Sequence, residues 1–526
     1  MNRPYLPQQR TALRHKNLFA LAGMVLNLAV LPAGHATDFP PTIDLADLVG
    51  NGAMRLDGVA NGDSTGRAVS DIGDINGDGI DDILIAAPGA EPAGLLSGSC
   101  YVVFGQTSTT AATLDLNRLN GSNGFRIDGE TSGQFIGDSI DRAGDVNGDG
   151  IDDLIIGARP VFAGAFTFVV YGRSTPFPAV LSVSSLDGSN GFRIRGRTHE
   201  VRAGGDINGD EFDDLLIGSE DPLSDPSGFY STAYVVFGAP SPNAAEVVLT
   251  DLNGSNGFRI DGEPVLNPDF FGTRVSEAGD FNGDGFDDLI FGDPGADKTG
   301  YNSGSAYVVF GHAGPFAAQL SLSGLNGSAG FRVDGPMLES YLGTLVSHAG
   351  DFNGDGLGDV IVASDFAGAG RPRGAFVVFG REIVTSGTIG LDELDGSKGF
   401  LINGQFTSIN SAGDLNGDEL GDLVLANVTA VPNGNASGST YVVLGSNTTY
   451  RPVLELAELN GVNGFRLDGA FQEDSGTSVS SAGDFDGDGV DELLVGVRRS
   501  SANGVTHSGA AYMVYGRYQL FRDDFE

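Results

Sequence analysis

The sequence has little cysteine, tryptophan and positive charge, and each shortage narrows what the protein can be. Its single cysteine, Cys100, cannot form an internal disulfide, and its apolar surroundings predict a small buried core residue. The 29 Lys and Arg are outnumbered by 69 Asp and Glu, which gives a net charge of −40. Nucleic acid is therefore not an expected partner, because binding it requires clustered Lys and Arg. The absence of tryptophan argues against a sugar-stacking surface without excluding one.

Long apolar runs are also scarce, and the one near the N-terminus is typical of an export signal. A positively charged region precedes the apolar stretch 18–31, and small residues allow cleavage after Ala36. A retained membrane anchor is the alternative. After residues 1–36 no apolar run approaches the length of a membrane span. We therefore expect a signal peptide over 1–36 and a mature protein that is secreted or held in the cell envelope.

A nine-residue acidic loop occurs seven times in the chain. Oxygen-bearing side chains stand at loop positions 1, 3, 5 and 9, and position 7 offers its backbone carbonyl, as calcium requires. In chain order the seven loops span 74–82, 145–153, 206–214, 280–288, 351–359, 414–422 and 484–492, and we number these metal loops 1 to 7. The predicted ligands are Asp74, Asn76, Asp78, Ile80, Asp82; Asp145, Asn147, Asp149, Ile151, Asp153; Asp206, Asn208, Asp210, Phe212, Asp214; Asp280, Asn282, Asp284, Phe286, Asp288; Asp351, Asn353, Asp355, Leu357, Asp359; Asp414, Asn416, Asp418, Leu420, Asp422; and Asp484, Asp486, Asp488, Val490, Glu492.

An EF-hand and an ion-free turn are the two alternatives to a calcium loop of this kind. An EF-hand needs a glutamate at position 12 and flanking helices, whereas position 12 is apolar here, as at Ile85 and Phe291. Asp-Gly-rich turns without an ion remain the alternative. Seven copies in the same pattern favour up to seven calcium ions, one per repeat, which would stabilise a chain that has no disulfide.

Three of the loops depart from the pattern. Glu211 and Glu419 replace the glycine at position 6 of loops 3 and 6, where a positive φ is expected, so these two sites should bind calcium more weakly or with distorted geometry. In loop 7, Asp486 replaces Asn and Glu492 replaces Asp, which adds charge at position 3 and length at position 9.

The loops recur every 61 to 74 residues and lie in phase with strand patterns. Each is preceded by a weak strand signal and followed by three stronger ones, with no sustained helical period. We therefore predict an all-β fold, a seven-bladed β-propeller of four-stranded antiparallel blades over residues 37–517. The last repeat lacks its fourth strand and residues 51–58 supply one, so the N-terminal strand should close the ring. A short acidic C-terminal tail over 518–526 follows.

These repeats resemble FG-GAP repeats, the blades of the N-terminal propeller of integrin α subunits and of many bacterial secreted proteins. Phe271-Gly272 carries the name-giving dipeptide, whereas Ile136-Gly137 and Leu342-Gly343 depart from it. The resemblance implies calcium ions in the hairpin between the first and second strands of each blade. It also implies adhesion or partner binding through loops at the opposite face. Transmembrane signalling is not carried over, since no further integrin domain is recognisable.

No catalytic constellation is identifiable, and we do not expect an enzyme. The sequence 62–66 matches Gly-x-Ser-x-Gly, but nothing helical follows it. The loops between second and third strands vary most, and two carry positive pairs, Arg371 with Arg373 and Arg498 with Arg499, which are candidates for partner binding or simply solvated charges. The expected function is a secreted calcium-binding module for adhesion to an extracellular protein or glycan ligand. The alternatives are an extracellular hydrolase or lyase and a structural subunit of a cell-surface assembly.

Overall fold

The computed structural model describes residues 39–107, 111–159, 166–196, 198–219, 232–241, 244–262, 271–364, 373–501 and 503–516. The predicted signal peptide and C-terminal tail lie outside these residues and stay predictions. Among the described residues, no helix is both long and apolar enough to cross a bilayer.

Seven separate sheets form the seven blades, and the first four strands of each blade are antiparallel neighbours. In blades 1 to 6 these four strands follow one another in the chain. From first to fourth strand the blades are Val69–Asp71, Ile83–Ala87, Ser99–Val103, Gly124–Asp128 (blade 1); Ile136–Gly144, Asp153–Ala158, Phe166–Val170, Gly191–Arg195 (blade 2); Glu200–Gly205, Asp214–Ser219, Thr232–Val236, Gly257–Asp261 (blade 3); Arg274–Gly279, Asp288–Asp293, Ser305–Val309, Gly330–Asp334 (blade 4); Leu342–Gly350, Asp359–Ser364, Gly374–Val378, Gly399–Asn403 (blade 5); Ser408–Gly413, Asp422–Asn427, Ser439–Val443, Gly464–Asp468 (blade 6); and Ser475–Gly483, Glu492–Val497, Ala510–Val514, Ala53–Asp57 (blade 7). The seven-bladed propeller is confirmed.

Each blade also carries a short fifth strand that the sequence did not predict. It pairs in parallel with the fourth strand and comes from the next blade, from the segment that precedes the fourth strand of that blade. In order of blade, the fifth strands are Val180–Ser182, Glu246–Val248, Gln319–Ser321, Thr388–Ile389, Val453–Glu455, Thr42–Asp44 and Thr113–Asp115. Helical structure is limited to the α-helix Leu45–Leu48 and the 3-10 turns Leu116–Arg118, Val183–Ser185, Leu249–Asp251, Leu322–Gly324, Leu391–Glu393 and Leu456–Glu458.

Stacked aromatic rings reinforce these exchanges between blades. Phe125 of a fourth strand stacks on Phe177, which precedes the fifth strand from the next blade, with ring centroids 4.3 Å apart. Phe400 and Tyr450 repeat the arrangement at 4.6 Å. The exchanged segment is thus held by side-chain packing as well as by backbone hydrogen bonds.

The ring closes as the sequence predicts. Ala53–Asp57 pairs antiparallel with Ala510–Val514, with Leu56 opposite Ala511, and supplies the fourth strand of blade 7. Thr42–Asp44 pairs with Gly464–Asp468 of blade 6. The N-terminal segment therefore joins two blades made from the far end of the chain.

The hydrophobic core lies between neighbouring blades. One cluster packs Val102 and Ile127 of blade 1 against Ile156 and Phe168 of blade 2. Because each sheet is covered on both faces, its central strands read as continuous apolar runs instead of alternating ones. Cys100 lies in this core, fully buried, and burial raises the pKa of its thiol, which confirms the structural reading of this residue.

Candidate metal centres

All seven metal loops connect the first and second strands of a blade and therefore lie at one end of the ring. Positions 1 to 7 belong to the loop. Position 9 is the first residue of the second strand in blades 2 to 7 and stands immediately before it in blade 1. The 35 predicted ligands thus form seven local groups, each built within a single hairpin.

The aspartate at position 1 organises its loop by accepting backbone hydrogen bonds. In loop 1, Asp74 Oδ1 accepts from the N–H of Asp78 at 2.9 Å and Oδ2 accepts from Gly79 at 2.7 Å. In loop 5, Asp351 accepts from positions 5 and 6 in the same way, at 2.9 and 2.8 Å. These bonds wrap the chain around the carboxylate and bring the oxygens at positions 1, 3 and 5 into one turn.

Position 5 adds a second local bond, because its carboxylate accepts from the N–H two residues later. In loop 1 the Ile80 N–H to Asp78 Oδ1 distance is 3.1 Å, and in loop 7 the Val490 N–H to Asp488 Oδ1 distance is the same. Asp and Asn favour such side-chain turns. The peptide between positions 6 and 7 is thereby fixed in each loop.

The carboxylate at position 9 is buried and links the loop to the end of the third strand. Asp288 accepts from the N–H of Gly311 at 2.9 Å and from that of Phe281 at 3.0 Å, and its side chain is inaccessible to solvent. Burial, together with the charges of Asp284 and Asp280, raises the pKa of Asp288 to about 8. The corresponding residues Asp82 and Asp214 have their pKa raised to about 9 by the same causes.

Position 3 provides the first test of whether the loops fit a cation. In loop 2, Asn147 donates its Nδ2 to both oxygens of Asp153 at 3.2 and 3.3 Å, which leaves its Oδ1 buried without a hydrogen-bond partner. Asn416 of loop 6 has the same buried, unpartnered Oδ1. A buried acceptor without a donor is unusual and is accounted for by a bound ion or water.

Loop 7 provides the second test. Ligand oxygens of Asp484, Asp486 and Glu492 lie within 4.8 Å of one another, and Asp484 Oδ1 has no hydrogen-bond partner. Unlike an asparagine, Asp486 cannot donate to the position 9 carboxylate. Burial and the nearby charge of Asp486 raise the pKa of Glu492 to about 9. A cation is the simplest way to neutralise such a group, and the all-oxygen donor set suits a hard one.

Loops 3 and 6 keep the common hydrogen bonds despite their glutamates. The N–H of Glu211 donates to Asp206 Oδ2 at 2.9 Å, and that of Glu419 donates to Asp414 Oδ2 at 2.7 Å. Their φ angles are +72° and +68°, in the left-handed region that the five glycines also adopt. The loop frame is therefore preserved at the expense of backbone strain, while the predicted weakening of calcium binding stays a prediction.

Position 8 carries residues that connect neighbouring blades, and these connections were not predicted from the sequence. It is acidic in five loops, and each of these carboxylates accepts from the backbone N–H of position 1 in the preceding loop, on the neighbouring blade. The pairs are Asp152 with Asp74 (3.0 Å), Asp213 with Asp145 (2.7 Å), Asp287 with Asp206 (2.9 Å), Asp491 with Asp414 (2.7 Å) and Asp81 with Asp484 (2.9 Å). Burial and neighbouring carboxylates raise the pKa of Asp287 to about 6. The repeated Asp at this position was a visible signal.

The glycine before loops 1, 2, 3, 6 and 7 belongs to the same arrangement. Gly73 has a φ of +62°, and a Cβ built on it would lie 2.3 Å from Asp152 Oδ2. Only glycine leaves room for the incoming carboxylate at this point.

At the opposite end of the ring, loops of adjacent blades pair through their backbones. The loop after the second strand of blade 1 accepts from the segment before blade 2, with Gly133 N–H to Leu95 O at 2.8 Å and Phe135 N–H to Leu96 O at 3.1 Å. Blades 4 and 5 repeat this ladder, as Glu339 donates to Tyr301 at 2.8 Å. These irregular loops are thus built into the fold.

One of the two positive pairs singled out from the sequence, Arg498 with Arg499, lies at this end. Arg498 and Arg499 both contact Asp474 Oδ2, at 2.9 and 3.2 Å, so they form a blade-internal ion pair network. Arg373 immediately precedes the third strand of blade 5, and Arg371 lies outside the described residues. The sequence-based interpretations of these pairs, as partner contacts or as solvated charges, did not predict the ion pairs with the buried Asp474.

The central channel opens at this end into a cavity of about 280 Å³ lined by the first strands of all seven blades. Arg67, Arg159, Arg202 and Arg274 line it. Glu200 holds Arg202 at 2.7 Å. Asp138, Asp141 and Glu200 line the same cavity, with Asp138 3.7 Å from Arg67 and Glu200 3.9 Å from Arg274, so the arginines at this end are largely balanced by acidic groups.

The Gly-x-Ser-x-Gly segment lies in the turn before blade 1. Ser64 has a φ of +56° and its hydroxyl donates to the carbonyl of Gly62 at 3.4 Å. No helix follows it in the described structure, as the sequence indicated.

Comparison with known proteins agrees with this architecture. The FG-GAP repeat model matches residues 68–97, 271–309 and 475–513, which contain metal loops 1, 4 and 7 with their flanking strands. Three segments of this seven-bladed β-propeller thus match the FG-GAP repeat. The chain resembles the propeller of integrin α subunits: it is 28% identical to Integrin alpha-PS2 of Drosophila melanogaster over 242 residues, 43% of this chain and 15% of that one. It is 35% identical to Integrin alpha-E of Mus musculus over 126 residues, 23% of this chain and 10% of that one.

These matches are partial. The chain spans less than a sixth of the length of the curated relatives it matches. Among solved structures, AofleA from Arthrobotrys oligospora aligns with 78% of this chain and 92% of its own at 6% identity. The two chains align with a TM-score of 0.34.

Proposed function

We propose that this protein is a secreted, calcium-binding β-propeller that acts as an adhesion or ligand-binding module, with calcium stabilising the blades. The observation that carries the proposal is the separation of two features along the channel axis. Seven acidic loops lie at one end, and the arginine-lined cavity with the irregular loops lies at the other.

A stabilising role for calcium is supported by where the carboxylates point. Position 9 bonds to the end of the third strand of its own blade, and position 8 bonds to the neighbouring blade. A cation that neutralises these loops therefore strengthens contacts within and between blades. Because the metal loops occupy one end of the ring, we propose that the ligand binds at the opposite end.

The ligand end has room for a polar group of a partner. The channel cavity falls just below the usual range of about 300–1,000 Å³ for small-molecule sites, which favours a protruding group of an extracellular protein or glycan over a free cofactor. Arginines suit carboxylates because they donate in a fixed fork. We propose binding and not catalysis, since the described carboxylate clusters already serve loop and blade contacts.

Chelation tests the calcium part of this proposal. The mature chain, residues 37–526, is melted in calcium and in excess EDTA, and the melting temperature is expected to fall substantially on chelation. Identical melting curves would contradict it.

Arrays of extracellular matrix proteins and glycans test the binding part. The calcium-loaded protein is compared with Arg67→Ala and, as a matched control on an exposed turn of the opposite end, Lys398→Ala. Loss of a specific signal with Arg67→Ala alone supports a ligand site at the arginine end. Equal signals for both variants would place binding elsewhere.

A further inference from the structure

One hydrogen bond joins the frames of two metal loops at five of the seven blade junctions. Its donor is the backbone N–H of a position 1 ligand, such as Asp74, and its acceptor is the position 8 carboxylate of the next loop, such as Asp152. In sequence, that acceptor is directly followed by the position 9 ligand of its own loop, Asp153. The five donor–acceptor distances range from 2.7 to 3.0 Å.

The two remaining junctions lack this carboxylate, because Gly358 and Gly421 occupy position 8 of loops 5 and 6. Only backbone bonds are recorded there, from Gly358 N–H to Asp280 O at 3.0 Å and from Gly421 N–H to Asp351 O at 3.1 Å. Among the seven loops, all of which the structure describes, loop 5 is therefore the one without a carboxylate link on either side. Loops 6, 7, 1, 2, 3 and 4 form an unbroken series.

We infer that the five position 8 aspartates are positioning residues that couple calcium binding between neighbouring loops. Loops 6, 7, 1, 2, 3 and 4 bind as a cooperative series, and loop 5 binds independently. The inference deepens the proposed function and rests on it, since it requires that the loops bind calcium.

The physical reason is that ordering one loop also orders part of the neighbouring loop. A cation in loop 2 fixes Asp153 and with it the adjacent Asp152. The fixed Asp152 then holds the backbone of Asp74, so that loop 1 gives up less conformational freedom when its own cation binds. By linkage the effect is reciprocal, and a cation in loop 1 favours binding in loop 2 by the same factor.

The test uses the full mature chain and counts bound calcium by native mass spectrometry across a range of free calcium. Asp152→Ala removes the acceptor and leaves every predicted ligand in place, and Asp152→Asn keeps an acceptor oxygen without the charge. Asp47→Ala, which removes an exposed aspartate from the short helix Leu45–Leu48, is the charge-matched control.

Asp152→Ala is expected to weaken the calcium sites of both loop 1 and loop 2, because the coupling is reciprocal, by about 10- to 100-fold, the usual loss when a partner of a metal ligand is removed. Asp152→Asn should weaken them less, and Asp47→Ala should match the wild type. A wild-type protein that binds seven ions, with Asp152→Ala and Asp152→Asn titrating like Asp47→Ala, would overturn this inference alone. A wild type that binds no calcium would overturn the proposed function as well.

A gain of coupling gives a second measurement that survives if Asp152→Ala does not fold. A Cβ on Gly421 would lie 3.3 Å from the backbone N of Asp351 and 3.0 Å from the nearest carbonyl oxygen, so Gly421→Asp places a carboxylate beside the unlinked N–H. This variant should raise the calcium affinity of loop 5 several-fold.

Loss of a ligand completes the test. Asp149→Ala removes position 5 of linked loop 2 and should weaken its neighbours, whereas Asp355→Ala in loop 5 should remove one ion and leave the other six unchanged. Equal effects of Asp149→Ala and Asp355→Ala, with no gain for Gly421→Asp, would overturn the coupling.

Discussion

Replacing Asp486 by asparagine should make the metal-free protein more stable and less dependent on calcium. In loop 7 the ligand oxygens of Asp484, Asp486 and Glu492 lie within 4.8 Å of one another. The pKa of Glu492 is raised to about 9, mainly by burial, so without metal this residue is protonated at neutral pH. The repulsion that remains is between the two aspartates.

The size of the effect follows from that distance. Two unit charges at 4.8 Å, the upper limit of that separation, repel by about 3.5 kcal/mol at an effective dielectric constant of about 20. Asp486→Asn removes this repulsion and supplies an amide donor like that of Asn147, which reaches Asp153 at 3.2 Å. We expect a gain of about 2 kcal/mol in the free energy of unfolding without calcium. With an unfolding entropy of about 2.1 cal/mol/K per residue, this corresponds to about 2 °C for a ring of this size.

The assay is thermal and urea unfolding of the mature chain in calcium and in excess chelator. The gap between the two melting temperatures should shrink for Asp486→Asn, because the metal-free state gains stability while the loaded state loses a charged ligand. Asn147→Asp in loop 2 is the matched reverse change and should widen the gap. A lower metal-free stability for Asp486→Asn would refute the electrostatic reasoning.

Three further predictions concern pH, strain and closure. Without metal, the pKa of Asp82 is about 9 in the folded chain and about 3.9 in the unfolded chain, so the folded state binds more protons between these two pH values. The free energy of unfolding should therefore fall as the pH rises from about 5 to 9. A rise in this free energy, measured by urea unfolding of the calcium-free protein, would contradict the prediction. Glu211→Gly should raise the free energy of unfolding of the metal-free protein by about 1 kcal/mol, because glycine adopts a positive φ without strain. Gly356→Glu in loop 5 should lower it by a similar amount. Equal denaturant midpoints for the two variants would show that the strain is relieved elsewhere. Leu56→Ala in the closing strand should lower the free energy of unfolding, measured by chemical denaturation, by about 2–5 kcal/mol, because this leucine is fully buried. The control Val453→Ala, at an exposed position, should change it by no more than about 0.5 kcal/mol. An unchanged free energy for Leu56→Ala would mean that the strand does not close the ring.

The sequence was sufficient for features that repeat within a blade. Seven acidic loops in phase with apolar strands predicted the blade number, and counting strands predicted that residues 51–58 close the ring. The predicted ligands of each loop do lie within a single hairpin, because their contacts are local, while calcium binding by them stays a prediction. Periodicity carries this information directly.

Contacts between blades were harder to predict. The fifth strand is two or three residues long, as in Thr113–Asp115, and is stabilised only by a partner on another blade. The position 8 aspartates look like ordinary loop acids until the ring places Asp152 beside Asp74. The arginines of the channel come from separate repeats, and only closure of the ring brings them to one cavity.

The short fifth strand also limits how this protein can assemble with others. It forms the outer rim of every blade, so the rim offers only two or three residues of unpaired backbone at each position. Edges that short give another chain little to pair with, and rim-to-rim growth into filaments or continuous sheets is disfavoured. A partner, or a second copy, is left with the two flat ends of the disc. A partner should therefore bind at one end of the ring, and this fixes the orientation of the partner relative to the channel axis.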